Sequence, residues 1–334
     1  MSMTTPTSTE TTSDPASSDL APHAFARRHF LSIDQLNEAS ARDLMNASSA
    51  FADAIRAEDD IPHHLANARV MTVFFENSTR TLASFEMAVK RLGGEVISLP
   101  IAASSTKKGE SLADTLKTLD AMRPDMVVMR HGAPGAADLA ARLMDASVIN
   151  AGDGARGHPT QALLDAVTLQ RTFGDVAGLR VTICGDIRHS RVARSNVALL
   201  SLLGAQVRLC APGPLLPDAV HDWGVPVSHS FAEGLPGSDV VMMLRVQTER
   251  MAGHFVPSVR EYHRFFGLDL KTLMEHAPAA KVMHPGPMNR GVEITGSLAD
   301  HLTKSLILDQ VELGVATRMA VLSKLMANRV GGAA

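Results

Sequence analysis

The sequence predicts an α/β fold of two doubly wound parallel-sheet domains with a cleft between them. Three observations carry that expectation. The chain has 334 residues, more than one hydrophobic core usually organises, so two units of roughly 150 residues each are expected. Short continuous apolar runs alternate with helical stretches, the pattern of strands covered on both faces by crossover helices. Apolar residues make up 45% and charged residues 20%, ordinary values for a globular protein that suggest neither disorder nor a membrane location.

In chain order, residues 1–25 are rich in Ser, Thr, Pro and Ala and lack the basic and apolar regions of a signal peptide, so a disordered tail is expected there. A helix follows, with Ser32 as its N-cap candidate and Leu36, Ala39, Leu44, Ala47 and Phe51 near helical spacing. Buried strands are expected at 70–75, 95–99, 125–129 and 147–150, separated by helices beginning near Ser78, Ser111 and Pro134. Proline suits the first turn of a helix, so one should run from Pro159 to about Phe173. A second strand series falls at 180–184, 206–210, 226–230, 239–244 and 281–284. The chain closes with a long amphipathic helix over 305–330 that can pack back on the first unit. The units are then 26–158, joined by that last helix, and 159–304.

Some function classes are disfavoured. With 32 basic and 35 acidic residues the net charge is −3, which leaves no electrostatic footprint for nucleic acid. Apolar runs such as "VALLSLLGA" are far shorter than the ~20 residues that span a bilayer. The two cysteines, Cys184 and Cys210, each end an apolar strand. They read as reduced core thiols of a cytoplasmic protein, with no zinc-site spacing and no metal or cofactor implied.

Several segments carry chemistry. In "FFENSTRTLASFEMA" a strand runs into Ser78, Thr79, Arg80 and Thr81 at a helix start. Free N–H groups there, with three hydroxyls and a guanidinium, would make a phosphate cradle; a plain serine cap beside a solvated arginine is the competing reading. "RHGAPGAA" puts Arg130 at the carboxyl end of a strand, where open sheets bind ligands. In "NAGDGARGHPTQALLD", His158 precedes Pro159 at a helix N-terminus, a place that disfavours protonation and suits a neutral donor to a carbonyl oxygen. Thr160 and Gln161 extend its polar reach, and a structural turn histidine is the alternative. Gly152, Gly154 and Gly157 formally match a dinucleotide fingerprint, but Pro159 starts the helix after the glycines rather than within them.

The second unit offers "GDIRHSRVARSN", with Arg188, Arg191 and Arg194, and "MLRVQTERM", with Arg245 and Gln247 after a strand. Arginines on separate strand ends could fork onto one carboxylate, or each could simply be solvated. In "HPGPMNRGVEI", Pro285 and Pro287 bracket Gly286 in a rigid turn whose carbonyls could face an amine or amide. "SSTKKGESLADT" is a polar loop with Ser104, Lys107 and Lys108, either a surface loop or a charged arm.

"STRT", "HPTQ", "RVQ" and "HPGP", in this order, resemble the aspartate/ornithine carbamoyltransferase family across about residues 28–330, and the last two resemble its aspartate-using branch. The ornithine branch instead has an "SMG" segment and an "HCLP" turn with a reactive cysteine, both missing here. The resemblance implies transfer of the carbamoyl group of carbamoyl phosphate to the amine of aspartate, an early step of de novo pyrimidine biosynthesis, in an active-site cleft between a carbamoyl-phosphate unit and an aspartate unit. It implies that Ser78, Thr79, Arg80, Thr81 and Arg130 hold the phosphate. His158, with Arg80 and Thr81, would bind the carbamoyl oxygen, and Gln161 with the Gly286 and Pro287 carbonyls would bind the carbamoyl amide. Arg191, Arg245 and Gln247 would grip the aspartate carboxylates.

The family's sites are shared across a homotrimer, so Ser104 and Lys108 would come from a neighbouring subunit, with Lys108 reaching both substrates. Glu76 and Arg250 match positions that link the two domains on closure. Further assembly with regulatory or dihydroorotase-like chains is left open by the resemblance. Arg188 stands where some members have lysine, and Gly286 where some have leucine; the effect of either on closure is also open. Rival readings are a carbamoyltransferase for another amine, a non-catalytic scaffold with the same fold and, more distantly, a nucleotide-binding regulator.

Overall fold

The structure is a computed structural model that describes residues 25–99, 110–247 and 258–331. The loop with Ser104, Lys107 and Lys108, the position of Arg250 and all of the expected tail except Phe25 lie outside those residues. Phe25 itself is buried, edge-on to Phe30.

The first sheet contains β1 (Arg69–Phe74), β2 (Glu95–Leu99), β3 (Met126–His131) and β4 (Ser147–Asp153), all parallel, in the order β2-β1-β3-β4. The second contains β5 (Arg180–Cys184), β6 (Gln206–Cys210), β7 (Val227–Ser228), β8 (Val240–Met243) and β9 (Lys281–Met283), also parallel, in the order β7-β6-β5-β8-β9. The central strands are apolar and buried along nearly their whole length because helices cover both faces. The expected strand at 226–230 shrinks to two residues at the sheet edge, where a partner is available on one side alone.

In both sheets the strand order reverses direction once, between β1 and β3 in the first and between β5 and β8 in the second. Chain leaving neighbouring strands on opposite faces opens a crevice at such a switch point. The carboxyl end of β3 holds Arg130, and the segments that follow β1, β5 and β8 contain Glu76–Arg80, Gly185–Arg191 and Leu244–Gln247. Each sheet therefore directs its sequence-predicted polar residues to its own crevice.

The helices are α1 (Glu38–Ala57), α2 (Thr79–Arg91), α3 (Leu112–Asp120), α4 (Ala136–Leu143), α5 (Pro159–Phe173), α6 (Arg191–Leu202), α7 (Phe231–Gly234), α8 (Val259–Phe266), α9 (Leu270–His276), α10 (Gly296–Ala299) and α11 (Ile307–Gly331). Two expectations need correction. Ser32 caps a separate 3-10 turn, Ile33–Gln35, and α1 starts at Glu38, because Asn37 and Ser40 form a reciprocal capping box there. The closing helix is not a one-sided amphipathic helix: Ala316 through Leu325 are all buried, since α1, α2 and α5 surround its middle. Its two buried cations are accommodated separately. Lys324 pairs with Asp43 at 2.8 Å, and the Arg318 guanidinium lies 5.0 Å from the ring centroid of Phe85 on α2.

Candidate active site

Among the described residues six helices carry a side-chain cap: Asn37 on α1, Ser111 on α3, Ser190 on α6, Ser230 on α7, Ser258 on α8 and Asp269 on α9 each accept from a first-turn N–H. The starts of α2 and α5 differ. Ser78 and His158 occupy their N-cap positions and make no capping bond. A serine that could cap but does not leaves early N–H groups of α2 available as anion donors, reinforced by the helix dipole. Thr81 is buried one turn in, while Thr79 and Arg80 keep surface open to the crevice.

His158 is 4% exposed, and its backbone N–H donates to Ser195 Oγ at 2.9 Å. Burial first, then the charges of Arg130, Arg318 and Arg191, hold the imidazole well below its ordinary pKa. The ring is therefore neutral at pH 7, with one N–H to give, and Nδ1 has no partner among the described residues. The preceding glycine loop is built around Asp153, which accepts from the N–H groups of Gly157 and Gly135 and from Asn150 Nδ2. The N–H groups of Gly152, Gly154 and Gly157 are thus engaged by Asn150 Oδ1, the His131 carbonyl and Asp153 Oδ1, rather than turned toward a pyrophosphate.

Arg130, on β3 of the first sheet, and Arg191, at the start of α6 beyond the second, meet at Glu76. Arg191 Nη2 donates to Glu76 Oε2 at 2.5 Å, and Arg130 Nε lies 3.6 Å from the same oxygen. Gly152 allows this approach: at φ +119° it is unsuited to a side chain, and a Cβ there would lie 2.9 Å from Arg191 Nη1. Arg188 and Arg194, read from the same motif as Arg191, go elsewhere. Arg188 binds the Leu216 carbonyl and Asp218, and Arg194 lies over Trp223.

The second rim closes onto the first at Arg80. Gly286, at φ +65°, brings its loop so near that a Cβ would lie 3.0 Å from Arg80 Cζ. Burial, and then the Arg245 charge, lower the Arg80 pKa, so the positive charges of the two rims act on one another. Arg245 Nε donates to Asn289 Oδ1 at 3.4 Å, while the Gln247 backbone N–H and side-chain amide are tied to Asp186 and the His189 carbonyl. Gln161 Nε2 donates to Asp165 Oδ1 at 2.9 Å. Arg80, Gly286 and Arg245 are thus brought together on one side and Arg130, Arg191, Glu76 and His158 on the other, where the positive charge would suit anions.

Asp165, Asn196, Gln310, His284 and Asn289 support this arrangement and were not singled out in the sequence. The four-residue step from Gln161 to Asp165 placed both on one helix face, and His284 and Asn289 stand beside the Gly286–Pro287 turn in the chain; these were the local signals available.

Comparison with known proteins agrees with this geometry. Residues 28–171 match a family model described as aspartate/ornithine carbamoyltransferase, carbamoyl-P binding domain, and residues 177–325 match the Asp/Orn binding domain of the same family. The chain is 56% identical over 310 residues to the aspartate carbamoyltransferase catalytic subunit of Caulobacter vibrioides, covering 93% of each chain. It is 51% identical to that of Rhodospirillum rubrum, covering 91% of this chain and 95% of the relative. Among solved structures, aspartate transcarbamoylase of Trypanosoma cruzi in complex with carbamoyl phosphate and aspartate superposes with a TM-score of 0.82 at 31% identity, covering 91% of this chain and 99% of that one.

Proposed function

The chain belongs to the aspartate/ornithine carbamoyltransferase family, and from that premise we propose how its crevice works: it transfers the carbamoyl group of carbamoyl phosphate to L-aspartate, giving N-carbamoyl-L-aspartate and phosphate, a step that serves pyrimidine biosynthesis. The observation that carries the reading is the meeting of Gly286 with Arg80. It sets a turn from the second sheet against the uncapped start of α2, where an activated acyl phosphate and its acceptor can be held side by side.

The phosphate sits at the start of α2 on Ser78, Thr79, Arg80 and Thr81, with Arg130 on its flank. His158, Arg80 and Thr81 donate to the carbamoyl oxygen, and Gln161 with the Gly286 and Pro287 carbonyls takes the carbamoyl amide. Arg191, Arg245 and Gln247 receive the two carboxylates of aspartate. The aspartate amine attacks the carbamoyl carbon, the oxygen gains negative charge in a tetrahedral intermediate, and the bond to the phosphate oxygen then breaks. The departing phosphate is the nearest acceptor for the amine's proton. Orienting two bound substrates supplies up to about 7–11 kcal/mol, and each oxyanion donor adds up to about 3–4 kcal/mol. A neutral His158 fits that role, because it donates without adding a buried charge that must be solvated.

Ser104 and Lys108 complete the site from the next subunit of a homotrimer, with Lys108 reaching both substrates. Exposed Ile97 on the edge strand β2 and exposed Met87 on α2 support a neighbour at this side of the first sheet. The protein is cytoplasmic in this reading, supported by two buried free thiols; no helix among the described residues is long and apolar enough to cross a membrane.

Product analysis with carbamoyl phosphate and either aspartate or ornithine tests the reading, and carbamoyl aspartate should form. Carbamoylation of ornithine alone would overturn the choice of acceptor. For the shared site, mixing inactive Lys108→Ala and Arg80→Ala subunits should restore part of the activity, because some hybrid sites regain both residues. No recovery after verified subunit exchange would refute sharing.

A further inference from the structure

One buried carboxylate connects both walls of the proposed carbamoyl pocket. Asp165 on α5 is 0% exposed and accepts three side-chain amides from three helices: Gln161 Nε2 at 2.9 Å from its own helix, Asn196 Nδ2 at 2.8 Å from α6 and Gln310 Nε2 at 2.7 Å from α11. Gln310 continues the chain, its Oε1 accepting the His284 backbone N–H at 2.9 Å. His284 Nδ1 in turn accepts the Gly286 N–H at 2.8 Å. One arm therefore ends at Gln161, and the other at the Gly286–Pro287 turn.

The chemistry of a carboxylate makes this arrangement directional. Each amide can present either its NH2 or its oxygen, and little else distinguishes the two faces. An ionised carboxylate only accepts, so all three amides must turn their NH2 groups toward it. Gln161 is left with its oxygen as the end available to a donor, and Gln310 with its oxygen for His284. A carbamoyl NH2 needs acceptors of just this kind.

We propose that Asp165 is a positioning residue that fixes the polarity of Gln161 and, through Gln310 and His284, the placement of the Gly286–Pro287 turn, so that both walls of the pocket present acceptors to the carbamoyl amide. The proposal rests on the substrate assignment made above. Burial raises the Asp165 pKa to about 6, against the pull of the three amides and Arg318, so the carboxylate remains predominantly ionised at pH 7. Arg318, similarly buried, falls to about 10 and remains charged opposite it.

Asp165→Asn tests the idea, because a carboxamide can donate as well as accept and frees Gln161 to turn over. Gln310→Met cuts the second arm alone and carries the test if the first variant does not fold. The readouts are KM for carbamoyl phosphate, KM for aspartate and inhibition by inorganic phosphate, which occupies the phosphate site and has no carbamoyl group. KM for carbamoyl phosphate should rise about tenfold in Asp165→Asn and less in Gln310→Met, with phosphate inhibition and aspartate KM within about twofold of wild type. Equal weakening of phosphate and carbamoyl phosphate, or no weakening of either, would reduce Asp165 to a structural carboxylate and overturn the proposal. If the wild-type protein did not bind carbamoyl phosphate, the substrate assignment would fail and the proposal with it.

Discussion

The two rims of the crevice hold their polar groups by different means. On the first, apart from Arg130 beside Glu76, the donors sit at helix starts: Ser78–Thr81 open α2, and His158 is the N-cap of α5, its backbone N–H bound to Ser195 and Pro159 behind it. On the second, the important cations are held by side chains, Arg191 through Glu76 and Arg245 through Asn289. Backbone-fixed donors are in place before a ligand arrives and suit a group whose charge changes during reaction. Side-chain pairs can exchange partners, so carboxylates of an incoming substrate can replace Glu76 or Asn289 without moving the backbone. The first rim should therefore govern the chemical step, and the second should govern use of aspartate.

Arg80 provides the largest expected effect, since it lies against the Gly286 turn and, in the proposed mechanism, would hold both the phosphate and the carbamoyl oxygen. Arg80→Ala should lower kcat/KM about a thousandfold or more, measured by initial rates at saturating aspartate. A loss confined to KM for aspartate would break the contrast between the rims.

The same contrast explains what could be read from the sequence. Residues placed by a local backbone feature leave local patterns: hydroxyls beside an arginine at a strand-to-helix step marked Ser78–Thr81, and the His-Pro pair marked the start of α5. Both sheets and the α5 boundaries were legible for that reason, since apolar runs report burial and Pro159 reports a helix start. Partners brought together by the fold leave no such pattern. Asp165 and Gln310 are 145 residues apart, and Arg245 and Asn289 are 44 apart. The motif "RHSRVAR" likewise could not tell which arginine would reach the crevice, because Asp218 and Trp223, which take Arg188 and Arg194, lie in a later loop. The closing helix was expected to be amphipathic for a related reason: the neighbours that surround its middle and take up Lys324 and Arg318, Asp43 on α1 and Phe85 on α2, lie far away in the chain.

On the second rim, Arg245→Ala should raise KM for aspartate by about 10–100-fold while changing KM for carbamoyl phosphate by no more than about threefold. Steady-state titrations of each substrate decide it. An unchanged aspartate dependence would remove Arg245 from the acceptor site.

Glu76 belongs to the first rim but serves the second, so it sharpens the comparison. Glu76→Gln preserves the shape and deletes the charge that gathers Arg130 and Arg191. Aspartate KM should rise about fivefold to tenfold, because Arg191 loses the partner that holds it ready. Inhibition by inorganic phosphate should hold steady or tighten, since Arg130 is then released to the phosphate side. Weaker phosphate inhibition would show instead that Glu76 orients the first rim.

The smallest effect concerns stability and tests whether the first rim is preformed in the free protein. Unfolded His158 takes up a proton as pH falls through about 6.5, whereas in the folded chain burial and three arginines keep the ring neutral to much lower pH. The unfolded state then binds more protons, so stability present above that pH is lost below it. Between pH 7 and 5.5 the loss from this residue should be about 1 kcal/mol. His158→Gln, which does not titrate, should lose less than wild type by that amount in denaturant unfolding at the two pH values, with the opposing titration of Asp165 common to both proteins. Equal losses would mean that the imidazole is solvated enough to protonate in the folded state, and the first rim would then be assembled by ligand rather than by backbone.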